Sequence, residues 1–175
     1  MKIIALDLST KSSGYAVFDN KELIDYGMVK SFNPNWRERI YEIGKQLNKL
    51  FRQYKPDKIF VEDVPLSTKG GIKVAIMLGA VQGLVYGLSA FKNIDIEFVL
   101  PSKWRSPLGL FDGSRQGTKR DELKRKSVEM ANKEFNLSLV YKSPSSKFNE
   151  DDISDAILLG KSQIDKKIFG KVLDK

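Results

Sequence analysis

Two short apolar runs, each closed by a single carboxylate, constrain this chain more than any other feature. Lys2 to Leu8 (Ile3-Ile4-Ala5-Leu6-Asp7) and Lys58 to Val64 (Ile59-Phe60-Val61-Glu62) are β-branched and apolar enough to form buried strands. A charge at the end of such a strand is costly unless it is paired or bound to a cation. If the two strands are neighbours in one sheet, Asp7 and Glu62 lie side by side.

The remaining pattern places these strands in an α/β domain with a mixed five-stranded sheet flanked by helices. Gly14 to Phe18 and Leu23 to Val29 read as further strands, and Asp19-Asn20-Lys21 between them suits a hairpin turn. From Trp36 to Tyr54, Ile40, Ile43, Leu47, Leu50, Phe51 and Tyr54 recur at helical spacing, and Pro56 ends that helix. A long apolar helix follows from Val74 to Phe91, then a strand at Ile94 to Leu100. Ser114 to Lys126 is basic and flexible at its start, then helical to about Asn136, and a last helix begins near Asn149. The order β-β-β-α-β-α-β-α-α combines a leading meander with later strands that alternate with helices. The 175 residues, 41% of them hydrophobic, fit a single domain, 1–175. The apolar N-terminus is interrupted by Asp7 and too short for a signal peptide, and the 74–91 helix is too glycine-rich for a membrane span. A soluble, cytoplasmic protein is expected.

Composition narrows the chemistry. There is no histidine and no cysteine, which removes imidazole bases, thiolate nucleophiles and zinc–thiolate sites. Carboxylates then point to hard cations, Mg²⁺ or Mn²⁺, held by oxygen. Lys and Arg number 30 against 22 Asp and Glu, a formal net charge of +8, which favours a polyanionic partner.

The C-terminal segment Asn149-Glu150-Asp151-Asp152-Ile153-Ser154-Asp155 supplies the remaining acids. Asp152 and Asp155, three apart, share one helix face. Helix capping by Asn149 and the helix dipole account for Glu150 to Asp152 equally well, but not for Asp155. Taken together, IIALDLSTKSSGYAVF, DKIFVEDVP and DDISDAILLG resemble the RuvC-type Holliday junction resolvases over essentially the whole chain. The resemblance implies a ribonuclease H-like fold and an endonuclease that cuts four-way junctions. It puts the metal-binding acids at Asp7, Glu62, Asp152 and Asp155, with Asp151 as the alternative to Asp152. Four crowded carboxylates need cations to be tolerated, and two divalent ions about 4 Å apart can hydrolyse a phosphodiester without histidine. On this reading Asp7 bridges both ions.

Gly79, Gly83 and Gly87 form one smooth stripe on the apolar helix. It serves either close packing on the sheet or a two-fold contact, and the resemblance implies a homodimer. Lys69, Lys73, Lys103, Arg105, Arg115, Lys119 and Arg120 are candidate phosphate contacts. Arg105 matches a basic residue the family uses near its site, with Lys119 and Arg120 as alternatives. Trp104 either stacks on a base or belongs to the core. Where many of these resolvases carry an aromatic after the second acid, this chain has Pro65 or Leu66, which points to wider activity on forks and flaps. Two other classes compete: an actin or sugar-kinase type phosphotransferase, and a junction-binding protein without catalysis. The first lacks a glycine-rich adenosine site and a second domain here; the second is at odds with all four acids being present. Origin in a cell or a phage, and any helicase or branch-migration partner, are left open.

Overall fold

A computed structural model describes residues 1–64, 71–110 and 119–173, with side chains as far as 166. Five strands and five helices follow in the order β1 (Lys2–Asp7), β2 (Ser12–Asp19), β3 (Glu22–Lys30), α1 (Trp36–Tyr54), β4 (Lys58–Glu62), α2 (Gly71–Phe91), β5 (Asp95–Val99), α3 (Pro101–Arg105), α4 (Arg120–Phe135) and α5 (Asp151–Leu173). The sheet order is β3-β2-β1-β4-β5. β1, β2 and β3 form the antiparallel meander, and Asn20, at φ 54°, makes the tight turn between β2 and β3. β4 and β5 add parallel to β1. The expected α/β domain with a mixed five-stranded sheet is the one observed.

Each face of the sheet carries its own core. Ile4, Leu6, Val17, Ile59 and Val61 pack under α1 and α2 with Ile43, Leu47, Phe51, Val81 and Val85. Ile3, Ala5, Ala16, Phe18 and Phe60 pack under α4 and α5 with Val128, Ala131, Ile157 and Leu158. Central strands buried on both faces read as continuous apolar runs, which is why β1 and β4 stood out. α1 stops at Lys55, whose left-handed φ of 47° lets its N–H reach Phe51 O before Pro56.

Three local expectations are corrected. The strand runs end on their acids, at Asp7 and Glu62, rather than continuing to Leu8 and Val64. Pro101–Arg105 is a short helix that no periodicity announced. Asn149 does not cap α5, because its side chain accepts from Lys142 N–H and donates to Ser143 O. The carbonyl of Glu150 instead accepts from Ile153 and Ser154 at the start of that helix.

By length and composition, α2 alone among the described helices could cross a membrane. Its Val81, Val85 and Ser89 side is built into the core, while Ile72, Ile76, Tyr86 and Phe91 are exposed.

Candidate active site

Parallel pairing of β1 with β4, Leu6 opposite Val61, carries both chains to the same edge, so Asp7 and Glu62 emerge as adjacent strand ends. The turn after Asp7 is held by serines: Ser9 Oγ donates to Ser12 O (2.6 Å) and accepts from Ser12 N–H (3.0 Å). Arg39 of α1 anchors the same turn through Thr10 O at 3.0 Å.

The first turns of α5 cross this edge because β2 has no side chain at Gly14, the partner of Asp7 in the β1–β2 ladder. A Cβ at Gly14 would lie 1.9 Å from the carbonyl oxygen of Asp152, so only glycine admits the helix at this depth. A second close approach, Gly160 against Phe18 and Ala5, seats the helix further along. Sequence reading did not single out Gly14; a glycine inside a strand pattern was its signal.

Asp7, Glu62, Asp152 and Asp155 are therefore brought into one electrostatic cluster. Asp7 is pushed well above the ordinary carboxylate range, first by loss of solvent and then by the charges of Glu62, Asp155 and Asp152. Glu62 is pushed up to about 7, chiefly by loss of solvent, against the opposing pull of Arg105. Asp152 rises to about 6, again from burial and then from Asp151 beside it. Asp151 faces elsewhere: it is buried and ion-paired with Lys124 of α4. Asp152 is among the charges that raise Asp7, whereas Asp151 is engaged by Lys124.

Short helix α3 delivers the counter-charge. Trp104 is fully buried and donates its indole N–H to Glu62 Oε2 at 2.8 Å. Of the two readings offered for Trp104, core is the one observed. Arg105 stacks on that indole, 4.4 Å from its centroid, and its Nη2 lies 2.7 Å from Asp155 Oδ2 and 3.1 Å from Glu62 Oε2. The other oxygen of Asp155, Oδ1, is buried without a hydrogen-bond partner among the described residues.

A divalent cation suits this donor set. It is all oxygen, burial and mutual repulsion together raise its carboxylates above their ordinary range, and it leaves one buried carboxylate oxygen unsatisfied among the described residues. Among the described residues no three acids stand close enough to share an ion as they are placed, and the guanidinium of Arg105 lies between two of them.

Of the basic candidates among the described residues, Arg105 alone touches the acids. Arg120, exposed at the start of α4, reaches Asp152 only through its charge. Lys73, Lys103 and Lys119 are exposed. Lys69, Arg115, Pro65 and Leu66 lie outside the described residues. Among the described residues, nothing beyond the helix's own backbone and the adjacent residues lies within 4 Å of a Cβ placed at Gly79, Gly83 or Gly87, so that stripe does not pack on the sheet.

Comparison with known proteins bears on the same features. Residues 3–109, which include Asp7, Glu62 and Arg105, match the family described as crossover junction endodeoxyribonuclease RuvC. A RuvC of Brachyspira hyodysenteriae is 22% identical over 98% of this chain and 99% of its own length. A RuvC of Prochlorococcus marinus is 26% identical over 97% and 99%. A RuvC of Aliarcobacter butzleri is 32% identical over 46% of this chain and 56% of that protein. In fold, the chain superposes on Thermus thermophilus RuvC in complex with a Holliday junction substrate at a TM-score of 0.71, with 14% identity and 96% of each chain covered. With the matched segment spanning more than half the chain and carrying both strand-end acids, the protein belongs to the RuvC crossover junction endodeoxyribonuclease family.

Proposed function

We propose that this protein resolves Holliday junctions as a divalent-metal-dependent endonuclease, acting as a homodimer. The observation that carries the reading is the gathering of Asp7, Glu62, Asp152 and Asp155 at one sheet edge, in a chain of this family. These four residues would hold two Mg²⁺ ions, with Mn²⁺ able to substitute. When bound, such a pair supplies an activated water and a charge sink for the leaving oxygen of a phosphodiester.

The protein's own contribution is placement. Asp7 stands between Glu62 on one side and the α5 acids on the other, which suits it to bridge. Trp104 fixes Oε2 of Glu62, while Oε1, which accepts only a long 3.4 Å hydrogen bond from Arg105, would turn toward an ion. Lys73, Lys103, Lys119 and Arg120, with Lys69 and Arg115, would engage phosphates around the site without reading sequence. The apolar stripe of α2 would bring two such sites together for paired nicks on a symmetric junction. Action on DNA fits a cytoplasmic location in a bacterial cell or a phage-infected host.

The test is a labelled four-way junction incubated with and without Mg²⁺, with flap and fork substrates alongside. Metal-dependent paired nicks in the wild type, lost in Asp7→Asn, are expected. Full cleavage by Asp7→Asn would sink the assignment.

A further inference from the structure

We propose that Arg105 is a built-in counter-cation that divalent metal must displace, so that loading the site and releasing this guanidinium are one exchange. The inference rests on the metal-ligand assignment above. Arg105 bridges Glu62 and Asp155, the two acids on opposite elements, at 3.1 and 2.7 Å. A guanidinium at those distances occupies the space between the two carboxylates. Three ligating acids do not converge while it is there.

The arrangement is built rather than incidental. Pro101 starts α3 and Ser106 N–H closes it on Ser102 O, holding Trp104 inside and Arg105 at the rim. The indole beneath Arg105 is fully buried and is itself tied to Glu62, so the guanidinium rests on a fixed aromatic platform. Only one of the two oxygens of Asp155 is satisfied by Arg105; Oδ1 stays without a partner among the described residues. A single positive charge thus makes the metal-free fold tolerable without completing the site. An ion with several coordination positions outcompetes it, and the displaced guanidinium remains next to the acids, free to take a phosphate oxygen.

The exchange predicts the sign of an effect. Calorimetric titration of Mn²⁺ into DNA-free protein should show Arg105→Gln binding at least about tenfold more tightly than wild type, the scale on which a neighbouring charge acts on a carboxylate. Arg105→Lys should fall between them. A residue that only orients the ligands would shift affinity the other way, so unchanged or weaker binding by Arg105→Gln overturns the proposal. Should that variant fail to fold, the wild type decides by NMR. The guanidinium resonance of Arg105, assigned through Arg105→Lys, should move toward that of an exposed arginine in step with Mg²⁺ occupancy. A resonance unmoved at saturation overturns it equally. Failure of the nuclease reading looks different: metal would bind and displace Arg105, yet no junction would be cut.

Discussion

Asp151 and Asp152 are chemically identical neighbours, and their surroundings divide the work between them. Asp151 is committed to Lys124, whereas Asp152 adds its charge to Asp7. Asp152→Asn should therefore lower metal-dependent junction cleavage by more than ~100-fold, since even residues that merely orient metal ligands cost 10- to 100-fold. Asp151→Asn should leave cleavage measurable while lowering the melting temperature, because Lys124 loses its buried partner. Equal losses of activity would contradict this division. The raised carboxylates also fix a pH dependence. Glu62 is raised to about 7 and Asp152 to about 6, and Asp7 is raised well above its ordinary value. Groups raised in the folded chain leave stability intact below their unfolded values and remove it as pH climbs through the folded ones. In EDTA, the melting temperature should fall between about pH 4 and about pH 7, less steeply in Glu62→Gln, and Mg²⁺ should flatten the fall. An EDTA curve that falls no less steeply in Glu62→Gln than in wild type would contradict the direction. Sequence alone could rank Asp7 and Glu62, because charges that end buried strands have few structural excuses. It could not separate Asp151 from Asp152, since both lie in the first turn of α5 and the partner that divides them comes from another helix.

At the scale of elements, the sheet was legible because its signals are local. β-branched runs, the Asn20-Lys21 turn and strand–helix alternation define the strands and their parallel crossovers without tertiary information. The α3 helix was not, because five residues carry no period; only Pro101 hinted at a helix start. With α3 unseen, the tie from Trp104 to Glu62 could not be foreseen. The depth of α5 was equally hidden, since it depends on the backbone of Asp152 meeting a glycine on another element. That contact yields a prediction. Gly14→Ala places a methyl group inside the Asp152 carbonyl, so α5 must lift off β2 and carry Asp152 away from Asp7. Overpacking of this kind costs roughly 1–3 kcal/mol. Denaturant unfolding should show that loss, and cleavage should fall further than stability does. A Gly14→Ala variant with wild-type stability and activity would mean that α5 does not sit at this depth.

At the scale of the molecule, α2 decides whether one chain is the working unit. Its inner side belongs to the core, and its outer side exposes Ile72, Ile76, Tyr86 and Phe91 around glycines whose Cβ positions face open space among the described residues. Glycine in an exposed helix interior is unfavourable by about 0.8–1 kcal/mol relative to alanine. Three of them at four-residue intervals therefore weaken a helix for no benefit visible within the chain. Close approach of a second helix would explain them, because the missing side chains let two backbones meet. The two explanations give opposite signs for one substitution. If the face meets solvent, Gly83→Ala should raise stability by up to ~1 kcal/mol through helix propensity alone. If it meets a second copy, the added methyl groups should lower stability and make the melting temperature depend more steeply on protein concentration. Gly83→Arg, whose Cβ would meet open space among the described residues, should leave the monomer folded and shift sedimentation from two chains to one. The same variant should then nick junction strands singly, because the second site no longer arrives with the first. Stabilisation by Gly83→Ala, together with unchanged sedimentation of Gly83→Arg, would assign the stripe to solvent and overturn a dimer built on α2.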